Sequence, residues 1–408
     1  MKKSAVFLLF LIIAFLMPYV VISARVGEKV PDTEDVIAVT ALTDGKLDLV
    51  SPSAVLIEGS TGTVIFEKNK DERLKPASVT KVMTLLLIFE ALEEGRIKLM
   101  DDVTISEYAA SMGGSQVYLE PYEVQNVDTL IKCISIASAN DASVAMAEHI
   151  AGSHEEFVAR MNEKAKELGM NNTNFVNCTG LDADNHYTTA YDIALMSREL
   201  IMKYPQVSNY CTVWMDKFVH NTKKGRIEFD LTNTNKLIKS YKGITGLKTG
   251  STSAAKYCLS ATARRGSMDL IAVIMAAPDT KTRFMEAAKL LNYGFANYSL
   301  YVDDHTDVTL EPVRVTKGKS DYVFGDIKDK FSFLCSKGMD PNNIRKEISM
   351  FEKVSAPVAA GDKIGEIVYY FGNEKIGSID ILAKQDVDKA GYTDNFIKAI
   401  RKFFLAYR

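Results

Sequence analysis

The chain begins with a polar-apolar contrast: Lys2 and Lys3 precede an unbroken apolar run over residues 5–17. Residues 25–46 are then rich in acidic residues and turn formers, which reads as a linker. The run Ala54-Val-Leu-Ile57, the turn Gly59-Ser-Thr-Gly62 and the run Thr63-Val-Ile-Phe66 predict a β-hairpin. Residues 77–94 follow Pro76 and are apolar nearly all round, through Val82, Met83, Leu85, Leu86, Leu87, Ile88, Phe89 and Leu92. A helix with that pattern has no face to offer water, so it is expected to run through the middle of a domain.

Helical periodicity continues over residues 128–136, 142–151, 154–168 and 190–203, with turn signals at 138–141 and at Gly169. Beyond Gly243 the texture changes. Residues 257–263 and 270–276 are β-prone and apolar around the turn Arg264-Arg-Gly-Ser267, and 283–295 looks helical again. Strands at both ends with helices between them predict one α/β sandwich over residues 47–298, its terminal segments sharing an antiparallel sheet flanked by helices. Short strand candidates at 308–315, 321–327, 330–334, 344–351 and 365–371 predict a separate small β domain over 301–390. In residues 391–408, Phe396, Ile400, Phe403, Phe404 and Tyr407 fall on one helical face, while Lys398, Arg401, Lys402 and Arg408 outweigh Asp394. A basic amphipathic helix of this kind lies in a membrane interface or packs on the β domain; the predominance of aromatics favours the membrane.

Composition narrows the class. The 408 residues are 47% hydrophobic and 25% charged, which excludes collagen-like, low-complexity and mainly disordered chains. A net charge of −3 with no interior Lys/Arg cluster argues against a dedicated nucleic-acid binder. The apolar start, with Val21, Ser23 and Ala24 as small residues, reads as a signal peptide over 1–24 and hence export. Because the apolar stretch continues through Val20, Val21 and Ile22, an uncleaved anchor is the alternative. Five cysteines (Cys133, Cys178, Cys211, Cys258, Cys335) are an odd number, so at least one stays unpaired. They are expected as structural thiols, with no metal site and no cysteine nucleophile.

The candidate chemistry starts at Pro76-Ala-Ser78-Val-Thr-Lys81. Residues three apart share a helical face, so the Ser78 hydroxyl and the Lys81 amine can meet. Burial disfavours a charged lysine and turns it into a base, and a positive helix N-terminus works in the same direction. The spacing alone is weak, since Ser253-Ala-Ala-Lys256 matches it too. Ser138-Ala-Asn140 lies in a tight connection between helical patterns, where a second hydroxyl and an amide can face a cleft. Lys248-Thr-Gly250 opens the strand-forming region, and its glycine allows close approach of a substrate backbone.

In this order the three motifs resemble those of penicillin-binding proteins and class A β-lactamases. The flanking residues make the resemblance specific: Leu168-Gly-Met170, Thr173, Phe175, Asn177, Gly180-Leu181, Thr189-Ala190 with Asp192, Asn233-Thr-Asn235, Gly243, Gly246, Leu291-Asn-Tyr-Gly-Phe295, and Ala356-Pro-Val358 with Gly361. The chain is similar to low-molecular-mass penicillin-binding proteins, the serine-type D-alanyl-D-alanine carboxypeptidases of peptidase family S11. That resemblance implies a β-lactamase/transpeptidase-like α/β sandwich, a C-terminal β domain and a terminal membrane-associating helix, on the outer face of the cytoplasmic membrane. It implies a peptidoglycan stem peptide ending in D-Ala-D-Ala as substrate, β-lactams as inhibitors, and no metal or cofactor. Ser78 would be the nucleophile, Lys81 its base, and Ser138 a proton relay. Asn140 would hold the peptide backbone, Lys248 and Thr249 with Arg283 the terminal carboxylate, and the backbone N–H groups of Ser78 and Ser251, beside Gly250, the oxyanion.

Two positions depart from the family pattern. Ser251 stands where relatives often carry His or Tyr, and His186-Tyr187 precedes Thr188-Thr189 where a Ser-Thr pair is familiar; His186 is read as a loop residue. A class A β-lactamase is the nearest rival, because Glu167 and Asn171 have a suggestive mutual spacing. Glu167, however, ends a run of alternating charges (Glu163, Lys164, Lys166) expected to face solvent. The rival of another class is a catalytically idle wall-binding scaffold, which would not require Ser78, Lys81, Ser138, Asn140 and Lys248 all to be intact.

Overall fold

The computed structural model describes residues 47–222 and 225–405. The expected signal peptide and linker, and the last residues of the terminal helix, lie outside the described residues. The hairpin β1 (Ser53–Glu58) and β2 (Val64–Lys68) forms as the alternation predicts. Far along the chain, β3 (Ile244–Thr252), β4 (Lys256–Arg265) and β5 (Met268–Ala277) complete an antiparallel sheet of order β2-β1-β5-β4-β3.

The two faces of this sheet separate by residue parity, as a period of two requires. Val55 and Ile57 of β1 and their cross-strand partners Val273 and Ile271 join the main helical core. Leu56 and Leu270 point the other way, against the helix that carries Gly294. Both faces are therefore covered, and every residue of β5 but Ala276 is buried.

The main core is built around α1 (Lys81–Glu93), of which ten residues are buried. Around it stand α2 (Val127–Ile136), α3 (Asn140–Ala151), α4 (His154–Glu167) and α5 (Ala190–Lys203). Asn126, Ser153 and Thr189 cap three of these helices by accepting from Thr129, Glu156 and Asp192 N–H. On the opposite face lies α6 (Thr280–Asn297), capped by Asp279. Residues 77–80 do not extend α1, as the apolar pattern suggests; they form a separate 3-10 turn, Ala77–Thr80, entered through Ala77 at φ 48°.

α6 passes directly into Tyr298–Asp303, the first strand of a β unit with its own core of Val313, Val323, Ile364, Ile367, Tyr369 and Ile381. Asp303 is anchored there by Tyr369 Oη at 2.9 Å and Lys346 Nζ at 2.9 Å. The 10-residue strand Glu374–Ala383 and the hairpin Met215–Thr222 with Gly225–Thr232 are not signalled by the sequence pattern. Their charges and polar residues interrupt the apolar alternation, and most of the hairpin is exposed. The last helix, α7 (Tyr392–Leu405), presents Tyr392, Phe396, Phe403 and Phe404 to solvent. Lys398 ties it to the β unit through Gly318 O at 2.7 Å and Asp321 at 2.5 Å.

Candidate active site

The Ala77–Thr80 turn places half-buried Ser78 just ahead of α1, and Lys81 opens that helix with no solvent exposure. Lys81 Nζ lies 3.1 Å from Ser78 Oγ, 2.6 Å from Asn140 Oδ1 and 2.7 Å from the Thr179 carbonyl. Burial holds the amine well below the ordinary lysine range, and the charge of Lys248 pushes it further down. A neutral amine donates to the two fixed acceptors and keeps a lone pair for the hydroxyl, which is the disposition of a base beside a nucleophile.

Asn140, which the sequence pattern places in the connecting turn, is instead the first residue of α3. Its Nδ2 donates to Gly113 O at 2.6 Å and its backbone N–H to Ser115 O at 2.7 Å. The neighbouring Asp141 carboxylate accepts from Val117 and Leu119 N–H, each at 3.1 Å, and so pins the same 113–119 loop. Ser138, at φ 61° between α2 and α3, is buried, and its Oγ has no hydrogen-bond partner among the described residues. A buried hydroxyl without a partner costs free energy unless something else uses it.

The other wall is β3, the last strand of the sheet. Lys248 is buried, its Nζ donates to Thr249 O at 3.0 Å, and burial with the charge of Arg283 lowers its pKa to about 7. Thr249 Oγ1 pairs with Thr234 Oγ1 at 2.6 Å, and Asn235 Nδ2 donates to Gly246 O at 3.1 Å, steadying the strand. Ser251, two residues further along the strand, is exposed. Arg283 is buried with Nη1 donating to the carbonyls of Gly250 (3.1 Å) and Cys258 (3.3 Å). It braces the strand from inside the fold.

Two glycines let the backbones of their own segments close on the Ser78 turn. A Cβ on Gly250 would stand 2.9 Å from Ser78 N and 2.8 Å from Val79 N. One on Gly180, at φ 87°, would stand 1.8 Å from Ala77 O. Gly180 belongs to the loop that delivers the Thr179 carbonyl, where Asn177 Oδ1 accepts from Thr179 N–H (3.1 Å) and Gly180 N–H (2.7 Å). The sequence carries no signal that a backbone carbonyl here will meet Lys81.

The structure thus brings Ser78, Lys81 and Asn140 into direct contact and sets Gly250 against the Ser78 turn. Ser253, in the β3–β4 turn, and Lys256, the first residue of β4, are both exposed. Glu167 is exposed and paired with Lys164 at 2.6 Å, while Lys164 also holds Glu90 at 2.7 Å. Glu90 is about 13 Å along α1 from Lys81. All five cysteines are free and buried, and burial raises the Cys258 thiol to about 11.

Comparison with known proteins gives consistent results. A family model described as D-alanyl-D-alanine carboxypeptidase, Peptidase S11, matches residues 39–279, and one for the C-terminal domain of penicillin-binding protein 5 matches 295–389. The chain is 47% identical over 340 residues to the D-alanyl-D-alanine carboxypeptidase DacF of Bacillus subtilis (strain 168), covering 83% of this chain and 86% of that one. It is 30% identical over 387 residues to the D-alanyl-D-alanine carboxypeptidase DacA of Escherichia coli (strain K12), covering 91% and 92%. Penicillin binding protein 5 from Haemophilus influenzae superposes with a TM-score of 0.72 at 30% identity, over 85% of this chain and all of that one.

Two outcomes follow from this geometry. Gly180→Ala is expected to cost about 2–4 kcal/mol, from strained backbone and overpacking together, seen as a lower urea midpoint. The unfolded chain keeps the Lys248 proton up to its ordinary 10.5, whereas the folded chain releases it near 7. Stability contributed by this residue therefore rises with pH between about 7 and 10.5 and is lowest below 7. Lys248→Met should flatten that rise and raise the melting temperature at neutral pH, as read by thermal unfolding across a pH series.

Proposed function

The chain belongs to the D-alanyl-D-alanine carboxypeptidase family, peptidase S11, and from that premise we propose that it removes the terminal D-alanine from peptidoglycan stem pentapeptides through a Ser78 acyl-enzyme. The observation that carries the reading is the contact of Ser78 Oγ with the fully buried Lys81 amine. Ser78 Oγ attacks the carbonyl carbon between the two D-alanines and passes its proton to Lys81. The oxyanion is received by the backbone N–H groups of Ser78 and Ser251, a contribution of about 3 kcal/mol per donor in comparable sites. Collapse breaks the C–N bond, and the leaving amine takes a proton through Ser138, whose unpartnered hydroxyl suits a relay. Water then attacks the ester, releasing the shortened peptide and restoring the Ser78 hydroxyl.

Lys248 and Thr249 meet the substrate's terminal carboxylate. Asn140 offers the second N–H of its Nδ2 to the peptide backbone while its Oδ1 holds Lys81. Arg283, whose Nη1 is taken by strand carbonyls, acts by bracing β3 and adding positive potential near Lys248. Every role is filled by a group of the chain itself, so the scheme calls for no cofactor. A β-lactam places its carbonyl at the same point but keeps its leaving group tethered, so it acylates Ser78 and stays. Trimming the donor pentapeptide limits cross-linking of the wall.

The site of action is the outer face of the cytoplasmic membrane. No helix among the described residues is long and apolar enough to cross a bilayer. α7 instead offers exposed Phe396 (66%), Phe403 (65%) and Phe404 (70%) beside exposed Arg401, which suits peripheral attachment.

Wild type should release D-alanine from a synthetic peptide ending in D-Ala-D-Ala and retain a fluorescent penicillin, and Ser78→Ala should lose both by at least about 10³-fold. Rapid turnover of the penicillin without D-alanine release would indicate a β-lactamase instead, and neither activity an idle scaffold. Deleting residues 393–408 should move the mature protein from the membrane to the soluble fraction with D-alanine release intact; retention in the membrane would refute α7 as the anchor.

A further inference from the structure

His186 sits in a loop, yet it is only 3% exposed and its imidazole bonds two parts of the site's frame. Val176 N–H donates to Nδ1 at 3.0 Å, so in the neutral ring the proton is on Nε2. Nε2 stands 2.9 Å from Thr80 Oγ1 and donates to it. Thr80 is buried in the nucleophile turn, two residues after Ser78 and one before Lys81. The ring thus joins both ends of the 176–186 loop and fastens them to the turn.

That loop carries everything the nucleophile segment receives from this side. Cys178 O accepts from Thr84 Oγ1 at 2.7 Å, Thr179 O accepts from Lys81 Nζ at 2.7 Å, and Gly180 abuts Ala77 O. Thr84 and Thr80 are one helical turn apart, so the two hydroxyls hold the loop above and below Lys81. Without the lower fastening, the Thr179 carbonyl and the Ala77–Ser78 turn are held from one end only.

We infer that His186 is a positioning residue for acylation, acting through Thr80 to hold Ser78 and the Thr179 carbonyl in register with Lys81. The inference rests on the acyl-enzyme reading above. The role needs the neutral ring, since a second proton would set Nδ1–H against Val176 N–H. Burial lowers the ring's pKa to about 4; Asp182 opposes that shift and Lys75 adds to it, so the ring is neutral at physiological pH.

The two bonds can be separated by substitution in the full-length protein. His186→Gln keeps a donor near the Nε2 position, and His186→Asn keeps only an acceptor near the Nδ1 position. Stopped-flow acylation by fluorescent penicillin, resolved into a binding constant and a limiting rate, reads the effect. The Gln variant is expected within about threefold of wild type, while Asn lowers the limiting rate roughly tenfold or more with the binding constant little changed. Thr80→Val should lower it by a similar factor, and the double variant Thr80→Val/His186→Asn should be no slower than either single one. A limiting rate in His186→Asn equal to wild type, or additive losses in the double variant, would overturn the inference; if the Asn variant does not fold, a Thr80→Val protein with wild-type acylation does so. Failure of wild type to acylate on Ser78 would instead overturn the reading on which it rests.

Discussion

A lysine amine removed from water must be given acceptors, and the Lys81 amine organises the site for that reason. Its partners come from its own turn, from 59 residues ahead at Asn140 and from 98 residues ahead at Thr179. None of the three segments is adjacent in sequence to another, so the contact exists only when α1, the start of α3 and the 176–186 loop have all packed. The same burial that demands partners also disfavours the charged form of the amine. Structure and chemistry have one cause here.

The second buried lysine extends the argument. Lys248, on the edge strand β3, loses hydration as Lys81 does, and its charge further disfavours the charged form of Lys81. Arg283 does the same to Lys248 from beneath the strand. Burial and mutual repulsion thus disfavour the charged forms of both lysines, and a negative group placed beside them would favour those forms again. The glycines at 180 and 250 belong to the same design: only residues without a Cβ let the loop and the strand approach the Ser78 turn closely enough to enclose it.

The long elements of the fold were legible because each has a clean period. The β1–β2 hairpin, α2 to α6 and the β4–β5 hairpin lie within a few residues of where alternation or helical spacing places them. The Met215–Thr222 hairpin was illegible because it is largely exposed and its charged positions break the alternation. Of the site, the side chains were readable as motifs, but Ser138's missing partner and the Thr179 carbonyl were not. His186 reads as a loop residue from its surroundings in sequence; only the packing of the loop against α1 buries its ring.

The inventory and its local placement belong to the sequence alone: a serine and a lysine three apart at a helix start, a serine–amide turn, a Lys-Thr-Gly strand, and the alternation that makes a sheet from the two ends of the 47–298 segment. Those follow from short-range sterics and hydrophobic period, which act over a few residues. Which lysine meets which oxygen, how far each pKa moves, and which polar atoms are left without partners were decided only by the tertiary structure. Burial and hydrogen-bond satisfaction depend on segments brought together from across the chain, and that information is carried by no single stretch of it.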